Sequence, residues 1–260
     1  MLKTLIFYKH LLSTSMKASI SKRGAFLMES SLMVINNLIF FSIWWIFFRQ
    51  FDDIAGWNFH DMIVLIVVGT GSFGLNQILF GGVRTLSRVI LDGDLDPLMT
   101  QPKNLLLHIA GLKSFSKGWG QLMTAAILIV LEGLWTIDTL PLLIIGMICG
   151  CLVYSSISII AHSLPFWLGS VEGISKKYCD ALYLFSLYPT NIYSGTIQVV
   201  MFTLIPAGII SYLPVQLIRN FSWLQLLILM ASSLSFVGIA FFVFYSGLKR
   251  YESGSKFDVS

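Results

Sequence analysis

Few residue strings in this chain could hold a ligand or carry a reaction. Gly69-Thr70-Gly71-Ser72-Phe73-Gly74 has the spacing of a dinucleotide-binding fingerprint, and Asp92 and Asp94 stand near the distance at which an acidic ribose partner is sought. That chemistry needs a strand before the glycines and a helix opening after them, so that free N–H groups meet a pyrophosphate. Here the glycines lie inside an unbroken apolar stretch, where small residues serve close helix packing instead. Glu132 and Asp138 sit near one end of a helical hairpin and His162 near the other, so they do not converge on a metal or a proton-transfer pair. The chain contains no HExxH, no GxSxG and no GxxxxGK[ST]. No catalytic, cofactor-binding or metal residue is therefore assigned, and any ATP-driven work requires a separate ATPase subunit.

The elements that position these residues belong to a membrane. Of the residues, 56% are hydrophobic and 12% charged, and mean hydropathy is +0.80, whereas about a quarter of an ordinary soluble domain is charged. The hydropathy predicts an all-α integral membrane fold, one integral domain over 1–260, with six spans at 26–48, 62–80, 119–137, 142–164, 195–213 and 223–245. With those spans alternating, all of the 17 Lys and Arg except Arg49 and Arg219 fall on one side. Cationic loops stay in the cytoplasm, so both termini are expected there, and the partition argues against nucleic-acid binding as the use of the basic charge. The span over 195–213 is the least regular, because Pro206 frees a carbonyl and permits a bend.

Around these rods, residues 1–25 place Leu5, Tyr8, Leu12, Met16 and Ile20 on one helical stripe, which predicts an interfacial amphipathic leader; no cleavable signal peptide is expected. Asn36, Asn37, Asn76 and Gln77 fall within or at the ends of spans, where an amide either hydrogen-bonds a neighbouring helix or lines a transport path. Glu29 is an ionisable group near the start of the first span, with Arg23 close enough in sequence to pair. Gly146 and Gly150 form a GxxxG, read as close helix packing or a dimer contact, and Cys149, Cys151 and Cys179 read as core residues rather than disulfides. Residues 181–188 are apolar but too short to cross, so a cytoplasmic or interfacial helix is expected there. Asn220-Phe221-Ser222 fits a glycosylation sequon, a pattern short enough to recur by chance.

The longest polar interval, 81–118, carries Arg88, Ile90, Leu91, Asp92, Gly93, Asp94, Leu95, Asp96, Pro97 and Leu98. On residue type alone the aspartates read equally as a solvated acidic turn or helix cap. Together with 188–195 and 205–214, however, this loop resembles the permease subunits of type-2 ABC exporters, in particular a bacterial branch of small six-span members. Gln101 departs from that pattern, which commonly has a basic residue there. The resemblance implies that 88–98 forms a coupling helix docking into a partner ATPase, that the leader lies on the inner leaflet, and that two ATPase copies carrying ATP and Mg drive two permease halves, identical or related. It further implies a bacterial cell membrane location and export of a hydrophobic or amphipathic substrate such as a drug, lipid, peptide or glycan. The alternatives are an ATP-independent secondary transporter and a non-transporting scaffold or immunity protein.

Overall fold

In the computed structural model the described residues are 2–51, 53–54, 56–192 and 195–252; Asp52, Ser194 and the tail residue Lys256 lie outside them. Among the described residues every named element is helical. Four helices are long and apolar enough to cross a membrane. They are α2 (Arg23–Gln50), α3 (Phe59–Leu79), α8 (Thr139–Ser163, continuing into α9, Pro165–Leu168) and α13 (Trp223–Leu248). Before them runs α1 (Leu2–Ser21), and α7 (Ser116–Leu131) is a shorter apolar rod. Short helices fill the polar intervals: α4 (Leu86–Leu91), α5 (Asp96–Met99) and α6 (Leu105–Gly111) between α3 and α7, and α10 (Glu172–Ser186), α11 (Thr196–Val200) and α12 (Leu213–Arg219) between α9 and α13.

The central rod is α3, apolar on every side as a helix with no lipid-facing stripe must be. Its best apolar window is 89% buried, against 11% for α2 and 17% for α13, so those two form the periphery. Where no hydrophobic effect drives helices together in lipid, close approach and interhelical hydrogen bonds must do so. Small residues provide the approach. A Cβ on Gly74 would sit 2.9 Å from the carbonyl oxygen of Gly118 on α7, and one on Gly71 would sit 2.5 Å from Met147 Sδ on α8. Gly150 faces the Ser72 hydroxyl and Gly146 faces Pro214, so the GxxxG is consumed in packing within the chain. Amides provide the bonds: Asn37 Nδ2 donates to Gln121 Oε1 at 2.8 Å and to Thr124 Oγ1 at 3.2 Å, joining α2 to α7. Asn76 Nδ2 donates to Ser155 Oγ at 2.8 Å, joining α3 to α8.

The interval 172–219 departs from expectation. Instead of one continuous helix over 195–213, the chain forms α11, an irregular turn, a π-helical turn over Gly208–Tyr212, and α12. The preceding helix α10 takes the rod-like place. Its first turn is at the charged end, where Glu172 pairs with Arg88, whereas Leu187 just past its last turn packs on Gly69 halfway along α3, and Tyr188 meets Phe40 and Trp44 near the far end of α2. From Tyr188 the chain turns back, because the Tyr178 hydroxyl on α10 donates to the carbonyl of Leu204. It then rises again to Tyr212, which packs on Trp57, 6.0 Å between ring centroids. The described residues 190–192 and 195–219 thus form a hairpin that dips between the rods and returns to the end near Trp57. Pro206 and the Gly208 contact with the Phe202 ring mark its bend, where a straight helix is broken.

That far end is closed by a clamp. Asn58 and Asp61 form a capping box at the start of α3, and Arg219, the last residue of α12, grips Asp61 through Nε at 2.6 Å and through a second, shorter Nη2 contact. Arg219 Nη2 also donates to the Gly56 carbonyl at 3.0 Å, and the guanidinium lies 4.9 Å from the Trp57 ring. Arg49 stacks on Trp45 at 4.1 Å. Each of the two cations left on the sparsely charged side therefore has a structural partner.

At the opposite end α1 packs along α6. Tyr8 donates its hydroxyl to the Leu79 carbonyl at 2.5 Å, and Tyr8 and Leu11 close over Gly111. Of the expected stripe Tyr8, Leu12 and Met16 are half-buried and Ile20 is exposed, while the Leu5 side chain lies outside the described ones; Phe7 widens the stripe and meets the His108 ring edge-on at 5.2 Å. Burial, and secondarily the nearby Lys103 charge, pushes the His108 imidazole below its ordinary pKa.

Candidate functional site

Residues 81–104 form a lever fixed at its apolar edge. A 3₁₀ turn over Gly81–Thr85 leads into α4; Asp92 caps it, Gly93 takes a left-handed turn at φ 74°, and Pro97 starts α5 in its first turn, where a missing N–H costs nothing. The expected single helix over 88–98 is therefore two short helices around a turn. Leu86, Ile90 and Leu95 are buried in a cluster with Leu106, Ile109 and Phe244, so one edge is bonded to α6 and α13. Ser87 Oγ meets His162 Nδ1 at 2.8 Å and pins α4 to the end of α8.

The other edge faces out: Arg88, Asp92, Asp94, Pro97 and Met99 are exposed, as are residues 100–103. Ile90 and Leu95 therefore hold the segment, Gly93 shapes it, and Leu91, Asp96 and Leu98 are half-buried along it. Tyr251, just beyond α13, packs edge-on against Phe166 at 6.3 Å and faces the Asp96 carboxylate. Burial first, then the neighbouring Asp96 carboxylate and the Asp94 charge, hold the Tyr251 phenol neutral, its pKa pushed up to about 12.

Beside this lever a cavity of about 550 Å³ opens between α2, α3, α7 and α10. Phe73 and Tyr183 stack at 4.2 Å on its wall, with Gln77 and Met33 alongside. Glu29 points into it instead of pairing with Arg23. Tyr183 is held by Gln121, whose Nε2 donates to its hydroxyl at 2.9 Å, so the cavity wall continues the Asn37–Gln121 network. Among the four amides singled out in the sequence, Gln77 lines the cavity, Asn37 and Asn76 bond neighbouring helices, and Asn36 is exposed away from them.

Three ion pairs at this level were not foreseen. Arg84 Nη2 reaches Asp180 Oδ1 at 2.7 Å, and Glu172 takes both Arg88 at 3.2 Å and Lys176 at 2.6 Å. The first two tie 81–104 to α10 across roughly ninety residues of sequence, and the third lies within α10. The advance signal was that all five ion-pair residues lie in the two longest polar intervals.

A family profile described as ABC-2 family transporter protein matches residues 32–255 of this apolar bundle. The chain belongs to that family. No curated protein matches the chain. As an ABC-2 permease it is a multi-pass membrane protein, and the family is one of transport subunits that partner ABC ATPases and carry no ATPase domain of their own. The matched interval takes in 81–104, every cavity-lining residue except Glu29, and the segment 190–219, while α1 and the start of α2 precede it.

Proposed function

We propose that this ABC-2 permease is the membrane half of an ATP-driven exporter in a bacterial cell membrane, with two ATPase subunits docked on the exposed edge of 88–103. ATP and Mg belong on those partners. The observation that carries the reading is the segment itself: an acidic and apolar edge offered to solvent, its opposite edge locked by Leu86, Ile90 and Leu95 onto α6, α8 and α13, and its Arg84 and Arg88 paired with α10, which walls the cavity. An ATPase can shift the rods only through contacts that differ between its states, and a segment rigidly joined to α6, α8 and α13 transmits such a shift.

In this reading α2, α3, α7, α8, α10 and α13 make six crossings, and both described chain ends face the cytoplasm. α10, about 22 Å long by helical rise, completes its crossing through Leu187 and Tyr188, with its four charges kept in the half nearest the cytoplasm. The 190–219 hairpin enters and leaves from the outer side. Cargo enters the 550 Å³ cavity from the cytoplasmic side and leaves outward as two permease halves, copies or relatives, rearrange about a shared path. Aromatic and apolar walls suit a hydrophobic or amphipathic cargo.

Co-expression with the cognate ATPase tests this reading. D92N/D94N, which removes two exposed charges without touching the core, should preserve folding yet cut co-purification and stimulated ATP hydrolysis at least severalfold. Unchanged stimulation, or transport by the chain alone in liposomes, would overturn it, the latter in favour of a gradient-driven carrier.

A further inference from the structure

The same cavity points to the chemistry of its ligand, an inference that rests on reading the chain as a permease. Next to the 550 Å³ cavity lies a second of about 310 Å³, and the two share Arg84 and Phe115. The first adds Lys117 beside the Phe73–Tyr183 stack; the second adds Arg88, Lys113 and Lys176. Together their walls carry five cations against the carboxylates of Glu29, Glu172 and Asp180. Glu172 and Asp180 are already engaged by Arg88, Lys176 and Arg84. Lys113 and Lys117 are exposed and have no ion pair among the described residues, and Glu29 is the one carboxylate of the cleft in that same position. The cleft therefore keeps a surplus of positive charge beside low-dielectric walls, which focus its field.

An anion alone does not account for the shape. The larger cavity lies within the size range of sites for organic ligands, and its floor is aromatic. We infer that the cleft is a loading site for an anionic amphiphile: a phosphate or carboxylate head between Lys113, Lys117 and Arg84, and an apolar body over Phe73, Tyr183 and Phe115. Arg84 can turn from Asp180 to the head without leaving a buried charge unpaired, because the Asp180 side chain is 62% exposed. A cationic amphiphile would meet the surplus lysines, and a neutral one would leave them unused.

The test uses the full chain in nanodiscs of zwitterionic lipid and equilibrium dialysis against octyl phosphate, with empty discs as the blank. Octyl phosphate should saturate a site about tenfold more tightly than octanol, octyltrimethylammonium or inorganic phosphate. K113Q/K117Q, at exposed positions, should weaken it about tenfold and flatten its salt dependence, since charge-assisted contacts to the head are lost. Phe73→Leu should weaken octyl phosphate and leave the weak inorganic phosphate signal unchanged. Discs containing phosphatidic acid separate the sources of the head: competition there makes a membrane lipid the occupant, and its absence makes the occupant a soluble amphiphile, both consistent with the site. Equal binding of octanol, equal binding of inorganic phosphate, or a K113Q/K117Q variant that binds as the parent does would each overturn the inference. No ATPase takes part, so binding that survives alongside a failed stimulation assay would leave this site standing and remove the exporter reading.

Discussion

Replacing Arg219 with alanine isolates the interaction that closes the far end of the bundle. Asp61 is 3% exposed, accepts from the Asn58 backbone N–H at 2.9 Å as part of the capping box, and takes both contacts from Arg219. Removing one partner of a buried pair strands the other charge, at about 3–5 kcal/mol. The Arg219 side chain keeps 24% exposure, so water can reach the vacated site and the lower end, about 2–3 kcal/mol, is expected. For a chain of this size that is a fall of about 4–12 °C in melting temperature. R219K keeps the charge but not the two-pronged grip or the stacking over Trp57, and should fall in between. D61N should also destabilise, and the double variant D61N/R219A should lose at least about 1.5 kcal/mol less than the sum of the single losses, because no stranded charge remains. Cys149, Cys151 and Cys179 are buried and free, so a thiol-reactive fluorophore in detergent reports unfolding directly. An R219A variant melting within about 1 °C of the parent, or additive single losses, would refute both the clamp and the return of the 190–219 hairpin to the α3 start.

Other changes probe the lever and the packing. Leu95→Ala empties a fully buried position, and should cost about 2–4 kcal/mol in thermal unfolding and also lower ATPase stimulation, whereas D92N/D94N should lower stimulation alone. Gly150→Val drives a side chain into Ser72; at least about 2 kcal/mol of destabilisation is expected, while Gly238→Val, with open space around it, should be neutral by the same melting assay. The raised pKa of Tyr251 has a definite sign: between its ordinary 10 and about 12 the unfolded phenol ionises while the folded one does not, so stability falls as pH rises through that window. Discounted for partial exposure the effect is under about 1 kcal/mol at pH 11. Tyr251→Phe should make the loss of stability between paired melts at pH 9 and pH 11 smaller by that amount, the other buried phenols and thiols keeping their share of the slope; an unchanged difference would place Tyr251 away from Asp96.

What could be read ahead of the coordinates follows from which forces are local. Rods such as α3, α8 and α13 are legible because uniform hydropathy over twenty residues has one structural outcome in lipid. In α10 Glu172, Lys176, Lys177 and Asp180 lower the mean hydropathy of the first half, and the pairing of Asp180 with Arg84 and of Glu172 with Arg88 is a tertiary event that no window of sequence contains. Conversely, 195–213 has the hydropathy of a span but is no continuous helix: it contains Gly195 at φ 60°, Pro206 and the tightly packed Gly208, and its apolar residues pack with α8 and α10. Hydropathy reports that a segment is removed from water, not whether lipid or protein replaces it. Within 81–104, which residues are held and which face out depends on Phe244 and Tyr251, about 150 residues away along the chain, so no local reading of the segment could sort them. The clamp had a visible trace. Arg219 stood against the charge sorting, and a cation held on the costly side of a membrane needs a partner; Asp61 is that partner, so such exceptions are places where the sequence points to a specific tertiary contact.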